Sequence, residues 1–154
     1  MILVIGNKFN NKIGFSLIEF LISILILSIL LIPSITVFFR YHQNLALTSS
    51  ANEIVSALQL ARSYAINERS SCTVVFEENT FSIYRGGKLL DKKYNLPQHV
   101  KIKAKTPGFD PVVFLPDGTS SQAGSLILVE ENSKKEKRII LYNLTGKCII
   151  ENGK

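Results

Sequence analysis

Gly14-Phe15-Ser16-Leu17-Ile18-Glu19, followed by the 20 uncharged residues 20–39, is the stretch on which the fold turns. About 20 residues of helix cross the hydrocarbon core of a bilayer, so this run reads as a membrane segment. A secretory signal places its small-residue cleavage site after a shorter apolar run. Here the only such site, Gly14, stands before the run, behind a short leader that carries Lys8 and Lys12. Processing there leaves the apolar helix in the mature chain. Lys8 and Lys12 favour an inside N-terminus, opposed only weakly by Arg40, so the remainder is expected outside the cytoplasm. Glu19 is the anomaly, because burying a charge in an apolar segment costs about 2.5–3.5 kcal/mol. It needs a partner or a proton. Pro33 lacks an N–H and its ring clashes with the carbonyl of Ile29, so a kink or a locally melted turn is expected there.

Beyond the run, Leu47, Ala51, Ile54, Leu58, Ala61 and Ala65 recur at alternating steps of four and three. That is one apolar stripe on a helix. Arg62 and Glu68 fall on the other side, toward water or neighbours. A continuous helix over 15–68 would be about 80 Å long. After Ser71 the period changes to two, with strands expected at 72–77, 81–85, 88–94, 100–105, 112–115, 125–130, 138–143 and 147–151. Glu78-Asn79, Gly86-Gly87, Pro116-Asp117-Gly118 and Thr145-Gly146 supply the turns. The fold class is therefore α+β: a long N-terminal spine helix, its first half transmembrane, packed on antiparallel β-sheets. The organisation is a leader at 1–14, a membrane and assembly helix at 15–40, and an exported head at 41–154.

Composition narrows the function. Of 18 Lys/Arg and 12 Asp/Glu, 15 and 11 fall in the head, so its charge does not by itself argue for nucleic acid. His42 and His99 have no accompanying histidine or carboxylate cluster, and metal sites need several ligands at set spacings. No cofactor and no enzyme activity are expected. Asp117 is explained by turn geometry.

The stretch from Gly14 to Glu19, after a basic leader and before an uncharged run, resembles the type IV prepilin cleavage motif. The resemblance implies that a prepilin peptidase cuts between Gly14 and Phe15 and methylates the new amine of Phe15. It implies that Glu19 meets the N-terminal ammonium of an adjacent subunit during assembly; Pro33, slightly earlier than the family's usual proline, reads by its own chemistry either as a bend in the assembling helix or as a kink tolerated in a membrane anchor. Three further stretches are similar to the H-type pseudopilins, the GspH/FimT group: Leu58 to Ile66, Phe114-Leu-Pro-Asp117-Gly118 with Gly124, and Arg138-Ile-Ile-Leu141 followed by Thr145-Gly146-Lys-Cys-Ile149. The implied protein is a minor subunit of a type IV pilus or type II secretion pseudopilus, with a pilin-like fold. It would sit in the inner (cytoplasmic) membrane as a single-pass protein before entering the filament. Its partners would be the peptidase, other pilins and the inner-membrane assembly platform.

Two features stand apart. Cys72 and Cys148 share strand phase with core residues, and they read either as a disulfide, in an oxidising compartment, or as two buried thiols acting as small hydrophobes. Lys101, Lys103 and Lys105 alternate along one strand and are expected on one face, while Lys134, Lys135, Lys137 and Arg138 crowd a hairpin tip. Strand lysines commonly block edge pairing. The alternative function is a DNA-binding minor pilin of a competence pilus, with these cations on the phosphate backbone. The arginine-bearing C-terminal motif of DNA-binding family members is missing from residues 146–154, and no aromatic interleaves with the lysines.

Overall fold

The computed structural model describes residues 16–90 and 93–153, without the side chains of 32–36, 39, 40, 42 and 43. The chain divides into two compact units, Met1–Phe38 and Phe39–Lys154. Helix α1, Leu17–Asn67, contributes to both.

In the first unit the described apolar side chains of α1 are largely exposed: Leu17 is 77% exposed and even Ile24 is 45% exposed. A helix apolar on all sides is stable only when something outside the chain covers it. Among the described residues no helix is long and apolar enough to cross a membrane. Side chains at 32–36 and 39, within the run expected to do so, lie outside the described set. The helix is unbroken through Pro33, so the melted turn expected there is not found. A proline removes one bond of the ladder, and the bonds on either side carry the turn across.

In the second unit the expected stripe is the buried one. Leu47, Ala51, Ile54, Leu58, Ala61 and Ala65 are all at most 2% exposed, and Ala57 joins them. They share one buried cluster with strand residues such as Val74, Ile83, Leu128 and Ile139. Truncating Leu58 to Ala would cost about 2–5 kcal/mol. The helix ends without glycine: Arg69 takes a φ of 49°, Ser70 N–H donates to Ala65 O, and Arg69 N–H donates to Ile66 O. Those two bonds satisfy carbonyls of the last turn.

Among the described residues nine strands follow: β1 Cys72–Phe76, β2 Thr80–Arg85, β3 Lys88–Leu89, β4 Tyr94–Asn95, β5 Val100–Lys105, β6 Val112–Phe114, β7 Gly124–Glu130, β8 Glu136–Leu141 and β9 Cys148–Asn152. All pairings among them are antiparallel. One sheet has the order β3-β2-β1-β6 with β4 also on β2, and the other β5-β7-β8-β9. The strand expected at 88–94 is two short ones. Leu89 opposes Tyr84 at one end of β2, and Tyr94 opposes Phe81 at the other, its ring stacked on Phe81 at 4.8 Å. Phe76, Phe81 and Phe109 form an aromatic group in the core, with centroids 5.4 and 5.9 Å apart around Phe76.

Candidate functional site

The cleavage pair Gly14 and Phe15 lies outside the described residues. Glu19 lies in the first turn of α1 and is exposed there, its backbone carbonyl accepting a 2.8 Å bond from Ser23 Oγ. A carboxylate stands within a belt formed by Leu17, Ile18, Phe20, Leu21 and Ile22, each more than half exposed. Pro33 belongs to α1, with its side chain outside the described set.

Arg62, expected to face water or neighbours, instead turns back onto its own fold. Its Nε donates to Gly118 O at 2.8 Å, and a Cβ at Gly146 would fall 2.8 Å from the same nitrogen and 2.3 Å from Gly118 O. Arg62 therefore ties α1 to two turns that the sequence places 28 residues apart. Both glycines have positive φ, 82° at Gly118 and 58° at Gly146. The first turn is closed by Gly118 N–H on Leu115 O at 2.9 Å, and Asp117 accepts from Thr119 N–H and Oγ1. The Thr119 hydroxyl and amide hold the Asp117 carboxyl below its usual range, the role of a turn organiser.

Cys72 and Cys148 are both buried and both free thiols. Cys72 stands between Arg85 and Phe114 in the first sheet, Cys148 opposite Leu141 in the second. Burial pushes the Cys148 thiol up to about 11, against the opposing pull of the Arg62 cation. Burial also raises Cys72.

The two basic groups differ. The register of β5 on β7 shifts between Ile102 and Ala104, so Lys101 opposes Val129 on the outer face while Lys105 opposes the buried Leu126. A one-residue slip exchanges the faces. Lys101, Lys103 and Lys105 therefore do not share a face, contrary to the alternation in sequence. Each is also matched by a carboxylate: Lys101 by Glu131 at 2.7 Å, Lys103 by Glu136, and Lys105 by Asp110 at 2.5 Å. By contrast, among the described residues none of Lys134, Lys135, Lys137 and Arg138 forms an ion pair. Lys137 Nζ donates instead to Asn152 Oδ1 at 3.1 Å.

Glu130 escapes a reading of the sequence because it looks like the polar end of a strand. It is fully buried, accepting from Asn132 Nδ2 at 3.1 Å and Ser133 N–H at 2.5 Å. Burial opposes its charge, but the Ser133 and Asn132 donors outweigh that and hold its pKa below the ordinary carboxylate value. The turn between β7 and β8 is built around this carboxylate. Among the described residues no cluster of three or more metal-ligating side chains occurs.

These features have relatives. The family model of Type II transport protein GspH matches residues 50–146, from the buried stripe of α1 to Gly146. A model of the prokaryotic N-terminal methylation motif matches residues 9–35. The fold is similar to the type IV minor pilin FimU of Pseudomonas aeruginosa, at 17% identity over 72% of this chain and 92% of that chain, with a TM-score of 0.59. It is also similar to the minor pseudopilin EpsH from the Type 2 Secretion System of Vibrio cholerae, at 14% identity over 69% and 96%, with a TM-score of 0.57. No curated protein matches the sequence. At such identities the two structures speak for the fold alone, and it is the family model, covering more than half of the residues and every turn that Arg62 gathers, that decides membership: the chain belongs to the family of Type II transport protein GspH, the H-type minor pilins and pseudopilins.

Proposed function

We propose that this minor pilin or pseudopilin is cut by a prepilin peptidase between Gly14 and Phe15, methylated on Phe15, and assembled through helix 15–40 into a type IV pilus or type II secretion pseudopilus. Before assembly that helix holds it in the inner membrane, with the head outside the cytoplasm and within reach of the assembly platform. The observation that supports this reading is the exposed apolar surface of α1, among the described residues, with Glu19 inside it. Lipid covers such a surface while the subunit waits, and neighbouring helices cover it in a filament. Glu19 then meets the amine of a neighbour's Phe15. Breaking a buried ion pair by removing one partner costs about 3–5 kcal/mol, because the other charge is stranded. The pair therefore selects the axial register of each incoming subunit.

Glu19→Ala tests this. Membrane insertion should be intact or improved, since an apolar side chain replaces a carboxylate, while incorporation into sheared filaments should fall at least tenfold. Normal incorporation of the variant would overturn the pairing role. Intact mass spectrometry of protein from peptidase-positive cells should give a chain starting at methylated Phe15, and a mature species that retains residues 1–14 would overturn the processing step.

A further inference from the structure

Every lysine of β5 forms an ion pair, whereas among the described residues Lys134, Lys135, Lys137 and Arg138 form none. Their place is set by α1. Within the second unit, Asn44, Leu47 and Thr48 face Lys134, Lys135 and Lys137 across a cavity of about 490 Å³, which the end of β9 also lines. The other end of the same helical segment is marked by Arg62, bonded to Gly118 and set against Gly146. Within the second unit the basic tip thus lies beside the Asn44–Thr48 stretch of α1, and the exposed Lys147, next to Gly146, lies toward the Arg62 stretch.

At 1.5 Å per residue, Asn44 and Thr48 lie about 8 and 14 Å along α1 from residue 39, the last of the run. The headgroup layer adds about 5–7 Å beyond the hydrocarbon core. The field of anionic lipid extends roughly a further 8 Å, one Debye length. We infer that the turn between β7 and β8 docks the head on anionic phospholipid headgroups while the subunit is still in the membrane. This rests on the reading of helix 15–40 as the anchor. Each basic side chain near an anionic surface strengthens attachment roughly fivefold, so three lysines bias the tethered head about a hundredfold toward the docked state. Among the described residues, Glu131 is held by Lys101 and Glu136 by Lys103, while Glu151, opposite Arg138 in register, offsets one charge of the four and leaves the three lysines. Glu130 fixes the turn from beneath. Lipid phosphate is favoured over nucleic acid because a negative membrane at this end repels an approaching polyanion.

The test reconstitutes the full chain into vesicles of phosphatidylcholine alone or mixed with phosphatidylglycerol, and follows lysine acetylation residue by residue by mass spectrometry. Lys134 and Lys135 should react severalfold more slowly in the mixed vesicles, with Lys88 and Lys147 unchanged, and high salt should erase the difference. Equal rates for Lys134 and Lys135 in the two vesicles would overturn the docking. Flotation with pure phosphatidylcholine vesicles reads the anchor separately. A chain that floats without protection sinks docking alone, whereas one that does not float sinks the anchor and docking with it. Protection by random duplex DNA in neutral vesicles, with none from anionic lipid, would overturn docking in favour of nucleic acid.

Discussion

Two glycines with nearly the same backbone isolate what the Arg62 contact is worth. Gly86 has a φ of 54° with nothing within 4 Å of where an added methyl group would stand, while Gly146 has a φ of 58° with Gly118 O at 2.3 Å and Arg62 Nε at 2.8 Å from that position. Alanine in the left-handed region costs about 1–2 kcal/mol, and this should be the whole effect of Gly86→Ala. Gly146→Ala pays the same strain and must also displace the Gly118 carbonyl, which breaks its bond from Arg62. A hydrogen bond to a charged group contributes about 1.5–3 kcal/mol, bringing the total to about 2.5–5 kcal/mol. Urea unfolding of the mature chain in mild detergent, followed by the near-ultraviolet signal of tyrosine, measures both variants. With slopes of about 1–3 kcal/mol per molar urea, the Gly146→Ala midpoint should fall by roughly 1–5 M and the Gly86→Ala midpoint by less than half as much. Equal costs at the two positions would refute the idea that Arg62 binds the two turns to the helix.

Glu130 has a depressed pKa in the folded state, so the stability it contributes is present above the unfolded carboxylate value of about 4.3 and is lost as pH falls through the folded one. Unfolding midpoints of the chain and of Glu130→Gln should therefore converge as pH is lowered from 6 toward about 3, and parallel curves would refute the assignment. With its pKa near 11, Cys148 should be only about one part in a thousand thiolate at pH 8 and alkylate on the order of a hundredfold more slowly than an open thiol until denatured. Thiol counting in denaturant without reductant should find both cysteines free, and finding neither would show a bond between them.

The helical stripe was legible because it rests on spacing alone: six residues at steps of four and three, all buried as the period requires. The turns at Pro116-Asp117-Gly118 and Thr145-Gly146 were legible for the same kind of reason, since positive φ at Gly118 and Gly146 is a local demand. Arg62 was not. Helical phase assigns a side chain to a face, but a long one can reach around to a carbonyl 56 residues away, and only the tertiary fold brings Gly118 there. Glu130 was hidden likewise, because a carboxylate becomes a buried acceptor only when the Asn132 and Ser133 donors curl back on it. The split of the expected strand 88–94 follows from where β2 offers partners.

The same distinction decides what the lysines can do. Counting charges along the chain makes the β5 group and the tip group equivalent, and together they would offer seven cations to a polyanion. Each phosphate contact given up removes roughly 0.9 log unit from the salt dependence of duplex binding. The fold takes three away at once, since Lys101, Lys103 and Lys105 each meet a carboxylate and the register slip turns Lys105 off the face of Lys101. What remains among the described residues of these two groups is the four-residue tip, part of it opposite Glu151, beside the Asn44–Thr48 stretch of α1. A cluster of that size is too small to hold duplex DNA well at physiological salt, yet a planar anionic surface held beside it by a covalent tether needs no high affinity. Charge that is weak as a free binding site is effective as a tethered one, because the anchor keeps the local concentration of the surface high.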